Sequence, residues 1–326
     1  MLRLRFIGLI VGLLLPPVAL ASPPKVAVDI APIHSLVTQV MEGVATPSIL
    51  IKPEASPHSY SLSPSEARAL SEADVVFWMS TELTPWLEKS LDTLASNADK
   101  IEMITVEGTT TYAFRAGATF EAHDHHDDEH HEEDANLFDK ILSLFSSDHD
   151  HEEHEGKDPH AWLDPVNAKV WIEKIRDVLA KHDPDNAPKY TQNAEKAIDR
   201  LNTLIANIER KTENLDQLQF IVFHDAYQYF ERRFGVLAAG SISLGDSQDP
   251  SPSRVAEVRD LVQELSITCI FSEPQFNAGL VRNVFEGTKV KNIGVMDPLG
   301  ANIKAGKDQY EQLLNSMLIS LEQCSR

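Results

Sequence analysis

Short apolar runs alternate with helical patterns along most of this chain, and one long helical stretch separates two such series. KVAVDI (25–30), SILI (48–51), DVVFWM (74–79) and IEMITV (101–106) read as buried strands, with helical patterns at 33–42, 64–73 and 84–95 between them. Ser63-Pro64-Ser65-Glu66 supplies a cap and a first-turn proline for the second of these helices. Two longer helical patterns follow at 166–181 and 186–213, broken at the turn-forming HDPDNAP. The alternation then resumes with QFIVFH (219–224), VLAAGSI (236–242), CIFSE (269–273) and NIGVMD (292–297), and the chain closes with a helix around 308–323. This order implies an α/β fold of two lobes with largely parallel sheets, joined by a long helix and facing each other across a cleft. The expected division is an N-terminal lobe over 22–165, a helical segment over 166–215 and a C-terminal lobe over 216–326.

The first residues fall outside that pattern. Arg3 and Arg5 precede an apolar run from Phe6 to Leu15, which is short for a membrane span and suits a secretory signal. Ala19-Leu20-Ala21 has the small-residue spacing of a cleavage site, so residues 1–21 read as a signal peptide and Ser22 as the mature start. No cysteine directly follows that site to carry a lipid, which points to an unlipidated periplasmic protein. Cys269 and Cys324 are the two cysteines of the chain, and in an oxidising compartment they are expected to pair.

In open parallel sheets, ligands bind beyond the carboxyl ends of the strands. His224, Glu273 and Asp297 each end a strand pattern there, and His58 follows SILI after the loop KPEASPH. His160, in DPHAWLDP, stands just before a long helix. A lone histidine is more often a surface or satisfied core residue than a ligand. The case for these residues is therefore topological, since their local spacing makes no metal motif. His34 lies at a helix start near a strand end, and His182 reads as a surface turn residue.

Longer stretches carry a family resemblance. PEASPHSYSLSPSE (53–66), DPHAWLDP (158–165), FIVFHDAYQYFERRFG (220–235), FSEPQF (271–276) and MDPLGANI (296–303) resemble the zinc-binding receptors of bacterial ABC importers, the ZnuA type. A His-rich insert before DPHAWLDP and two C-terminal cysteines extend the resemblance over the whole mature chain. It implies a rigid helix between two lobes that clamp one metal, with His58 and His160 from the first lobe and His224 from the second. It also implies delivery of Zn2+ to a membrane permease, by a receptor that is not an enzyme.

Related manganese receptors use two histidines and two carboxylates, whereas three imidazoles with one oxygen suit tetrahedral Zn2+. A manganese or broader divalent-metal receptor is the alternative within the family. The fourth ligand stays open. Pro57 and Ser59 flank His58, so the carboxylate that some zinc receptors carry beside the first histidine is missing. Either Asp297 coordinates, or a water does, with Asp297 or Glu273 behind it. We favour the water, because three histidines already give affinity and the ion must be released. Tyr60 and Trp162 are expected to pack around the site.

The insert, 121–157, is the chain's other histidine concentration. HDHHDDEHHEED (123–134) and HDHEEH (149–154) place His123, His125, His126, His130, His131, His149, His151 and His154 among acids. Residues 121–155 supply −13 of the formal net charge of −21. So polar a segment builds no core, and its imidazoles are expected to bind zinc loosely as an auxiliary collecting or sensing loop. A solvated acidic linker is the plain alternative. NLFDKILSLFSS (136–147) within it patterns as one apolar helix face. The absence of a basic surface argues against nucleic acid as a partner. The expected partners are the permease and a periplasmic zinc-donor protein reached through the insert, and the expected form is a monomer. A zinc hydrolase, with Glu273 as its base, is the reading from another class, and the chain has no HExxH to favour it.

Overall fold

A computed structural model of the chain describes residues 22–115, 117, 119–120, 156–215, 217–243, 250–275, 278–290 and 292–325. The signal segment, the eight insert histidines and the 136–147 segment lie outside the described residues.

The first sheet holds β1 (Val26–Val28), β2 (Ser48–Ile49), β3 (Val75–Trp78) and β4 (Asp99–Glu102) in the order β2-β1-β3-β4. The second holds β5 (Phe220–His224), β6 (Gly240–Ser243), β7 (Cys269–Ser272) and β8 (Asn292–Val295) in the order β6-β5-β7-β8. Every pairing within these two sheets is parallel. The central strands β1, β3, β5 and β7 are buried throughout, which is why they read as continuous apolar runs. In each sheet the chain moves outward from its first strand, then returns to that strand's other side. The first and third strands therefore flank the switch point where ligand crevices form.

Two strands sit away from their expected places. IEMITV gives way to Asp99–Glu102, followed by a 3-10 turn at Met103–Thr105. Pairing with Val75–Trp78 selects the polar residues for this edge strand, while Met103 and Ile104 turn down into the core. Likewise, VLAAGSI pairs only from its end. Val236 and Ala238 are buried ahead of the sheet, and pairing begins as Ala239 N–H donates to Phe220 O at 2.9 Å.

The helices are α1 (Ala31–Val40), α2 (Pro64–Ser71), α3 (Pro85–Leu94), α4 (Pro165–His182), α5 (Ala187–Thr212), α6 (Gln228–Phe234), α7 (Pro252–Glu264), α8 (Ala278–Phe285) and α9 (Gln309–Cys324). Ser63 and Glu66 close a reciprocal capping box at α2, as SPSE predicts. The long α5 packs on α1, α4 and α9, so it touches elements of both lobes. Asn193 on α5 donates to Val40 O at 2.9 Å and Glu42 O at 2.8 Å, satisfying carbonyls at the end of α1. One continuous apolar core runs from β1 through α4 and α5 to α9. The disulfide Cys269–Cys324 ties the start of β7 to the end of α9.

The lobes are also stitched directly. Trp162 Nε1 donates to Pro298 O at 2.7 Å, and Tyr310 OH donates to Trp162 O at 2.6 Å. Arg233 pairs with Asp164 at 2.6 Å. The segment leading into the insert crosses between lobes: Thr119 bridges antiparallel to Gly240 on edge strand β6, and Ala113 bridges to Lys157 on the way back. Within it, Arg115 reaches the buried carboxylates of Asp225 and Glu231, the latter at 2.7 Å, and stacks on Phe120. Burial raises both acids' pKa values, and the guanidinium opposes that rise.

Candidate metal centre

His58, His160 and His224 converge. Each offers a ring nitrogen, and the three nitrogens lie within 4.8 Å of one another. His224 is the last residue of β5, at the switch point of the second sheet. His160 immediately precedes the 3-10 turn Ala161–Leu163 that leads into α4. His58 comes from the loop after β2 and is only half buried, whereas His160 and His224 are buried. Trp86 Nε1 donates to Pro57 O at 2.8 Å and holds that loop next to His58.

Two buried carboxylates set the rings. Asp158 Oδ1 lies 2.7 Å from His160 Nδ1, and Glu273 Oε1 lies 2.7 Å from His224 Nδ1. With a proton on each Nδ1 donated to its carboxylate, the Nε2 lone pairs turn toward the centre. Those two Nε2 atoms are 3.4 Å apart. Facing lone pairs repel unless a cation lies between them. Zn–N bonds of about 2.0–2.1 Å at a tetrahedral angle separate two nitrogens by roughly 3.3–3.4 Å. The spacing thus fits two ligands of one zinc ion. Asp158 is held in turn by Gln228 Nε2 at 3.1 Å. Burial pushes the Asp158 carboxyl up to about 6 and raises Glu273, with His224 pulling the latter back.

The cavity is lined by Pro57, His58, His160, Trp162, His224, Glu273, Gln275, Pro298 and Leu299. Its volume is about 10 Å3, room for an ion with at most one water. Trp162 packs on His160 at 5.1 Å between ring centroids, and Tyr60 packs on Trp86 at 5.9 Å. Asp297 is engaged by its own loop: Leu299 N–H donates to Oδ1 at 2.9 Å and Ala301 N–H to Oδ2 at 2.5 Å. His34 is buried against Pro47 O at 3.2 Å, and His182 lies at the surface beside Asp99; neither belongs to the cluster.

Sequence reasoning gave no role to Asp158, Trp86, Gln228 or Gln275. Asp158 stands two residues before His160 inside DPHAWLDP, and that proximity is the signal that could have marked it.

A family model described as ZnuA, zinc-uptake complex component A periplasmic, matches residues 26–324. Several relatives bear the name high-affinity zinc uptake system protein ZnuA. The one from Brucella abortus (strain 2308) is 40% identical over 304 residues, covering 92% of this chain and 91% of its own. The one from Paracoccus denitrificans (strain Pd 1222) is 36% identical, covering 94% and 93%. Among solved structures, a crystal structure of ZnuA matches with a TM-score of 0.70 at 21% identity, covering 93% of this chain and 98% of its own. The periplasmic zinc binding protein TroA from Treponema pallidum matches with a TM-score of 0.74 at 18% identity, covering 93% and 99%. At these identities the solved structures speak for the fold.

Proposed function

Because the chain belongs to the ZnuA family of periplasmic zinc-uptake components, we propose that His58, His160 and His224 together hold the zinc ion it carries. The protein is a periplasmic zinc-binding receptor that serves an ABC importer. The observation that carries the site assignment is the pair of Nε2 atoms 3.4 Å apart, each backed by a buried carboxylate through Nδ1. Three neutral imidazoles and one small oxygen ligand suit Zn2+, with Glu273 and Asp158 orienting rings rather than coordinating.

Under this reading the receptor is non-catalytic, and the ion is its cargo, as the zinc-uptake family it belongs to suggests. It acts as a monomer that hands its ion to the permease. Residues 1–21 direct secretion without lipidation, and the insert histidines gather zinc weakly, from a donor protein or from solution. The lobes divide at 22–165 and 216–326, with 166–215 between them. The continuous core and the direct interlobe hydrogen bonds favour small adjustments on binding over a wide hinge swing.

His224→Ala tests the site. It removes the ligand from the second lobe and should lower zinc affinity at least about a hundredfold, or ~2.7 kcal/mol. The zinc-induced rise in Tm should shrink with it, because ligand stabilisation follows RT ln(1 + [L]/Kd). Wild-type affinity and full stabilisation in that variant would place the ion elsewhere.

A further inference from the structure

Gln275 lines the same cavity as the three histidines. Its Nε2 donates to Asp297 Oδ1 at 3.1 Å. A carboxylate only accepts, and this one is pinned by the Leu299 and Ala301 backbone N–H groups. Together they fix which way the Gln275 amide faces: the nitrogen must point at Asp297, so Oε1 points away from it. That oxygen is buried and has no hydrogen-bond partner among the described residues. Leaving a buried acceptor unpaired is costly, so an oriented one beside an ion cavity calls for a donor there.

We propose that Gln275 Oε1 accepts a hydrogen bond from the water that completes the zinc coordination, making Gln275 a positioning residue for the fourth ligand. This rests on the three-histidine site. Asp297, at the start of the loop that bears MDPLGANI, then acts through Gln275 rather than on the metal. The chain Leu299 and Ala301 N–H, Asp297, Gln275, water defines the open side of the tetrahedron. A neutral acceptor keeps the ligand as water. A carboxylate in its place would add negative charge and tighten the site against release.

Cobalt(II) loaded in place of zinc tests this by its visible absorption. The wild-type protein should give a four-coordinate spectrum that changes reversibly with pH as the bound water ionises. Gln275→Met removes the acceptor and its negative dipole end, so the midpoint should move down by about one unit, and zinc affinity should fall about tenfold. Gln275→Glu keeps an acceptor and adds charge, so its midpoint should move up. Opposed shifts are a signature that loss of packing alone does not give, and each variant that loads cobalt tests its own direction. A Gln275→Met protein that loads cobalt yet titrates no lower than the wild type, or a Gln275→Glu protein that titrates no higher, would overturn the role of Gln275 while leaving the histidine site standing. If cobalt fails to give a nitrogen-rich four-coordinate spectrum in the wild type, the histidine site itself is wrong.

Discussion

The two sheets share one strand order, yet their switch points hold different chemistry. β5 ends in His224 and is followed by Asp225, and β7 is followed by Glu273. At the matching places in the first sheet, β1 ends in Val28 and is followed by Asp29, and β3 is followed by Met79. A histidine–carboxylate pair in one lobe thus answers to an apolar pair, Val28 and Met79, both fully buried, in the other. The acid that follows the first strand is kept in both lobes but used differently. Asp225 takes Arg115 from the interlobe segment, while Asp29 accepts Ile30 N–H and Met79 N–H, each at 2.7 Å. Topology therefore provides a crevice twice, and in the proposed site it is the second whose strand end supplies a ligand. In the proposed site the first lobe supplies His58 and His160 from loops.

The sharpest way to break this comparison is Asp29→Ala. If the first switch point is structural, two buried N–H groups lose their acceptor, which should lower stability in urea by about 2–4 kcal/mol. Zinc affinity, by competition with a chromophoric chelator, should stay within a few-fold of wild type. A folded Asp29→Ala protein that lost zinc binding while keeping its stability would assign both switch points to the metal.

Glu273 asks the reciprocal question of the second lobe. Glu273→Gln keeps an acceptor for His224 Nδ1 and loses the charge, which should weaken zinc about tenfold, or ~1.4 kcal/mol; Glu273→Ala should approach a hundredfold. Asp158→Asn, acting on His160, should match the first of these. Calorimetric titration giving wild-type affinity in all three would mean that the rings are held by packing alone.

Much of this was legible in the sequence, for identifiable reasons. His224 closes an unbroken apolar run, so periodicity and the strand-end rule mark it. His58 and His160 sit in loops, where periodicity says nothing, and the family's motifs supplied them. Asp158 lay in view, but its bond to His160 depends on loop backbone geometry that composition does not encode. Arg115 and Asp225 are separated by 110 residues, so their pairing appears only when the fold brings the interlobe segment across. Glu273 and Asp297 were both offered as acids near the metal. The structure gives the first a histidine partner and the second a set of backbone donors, a difference that follows from which loop N–H groups point inward.

Asp29 also gives the comparison a pH test. Burial pushes its carboxyl up to about 7, against the opposing pull of its backbone donors. The unfolded chain holds the same group near ~3.9, so the fold binds that proton more tightly and favours the neutral acid. The stability tied to this group is fully present below ~4 and is lost as pH rises through about 7. Across pH 6 to 7.5 the loss should be about 1 kcal/mol. Asp29→Asn cannot titrate, and its amide opposes one of the two N–H donors, so it should be less stable at every pH. Histidine and other acid titrations are common to both proteins and cancel in their difference. Urea unfolding of the metal-free proteins should therefore show the wild type's advantage over Asp29→Asn shrinking by about 1 kcal/mol from pH 6 to 7.5. An advantage that held constant over that range would mean that Asp29 is ionised in the fold. Its two backbone bonds would then outweigh its burial, and the first switch point would carry a buried charge in place of a neutral stitch.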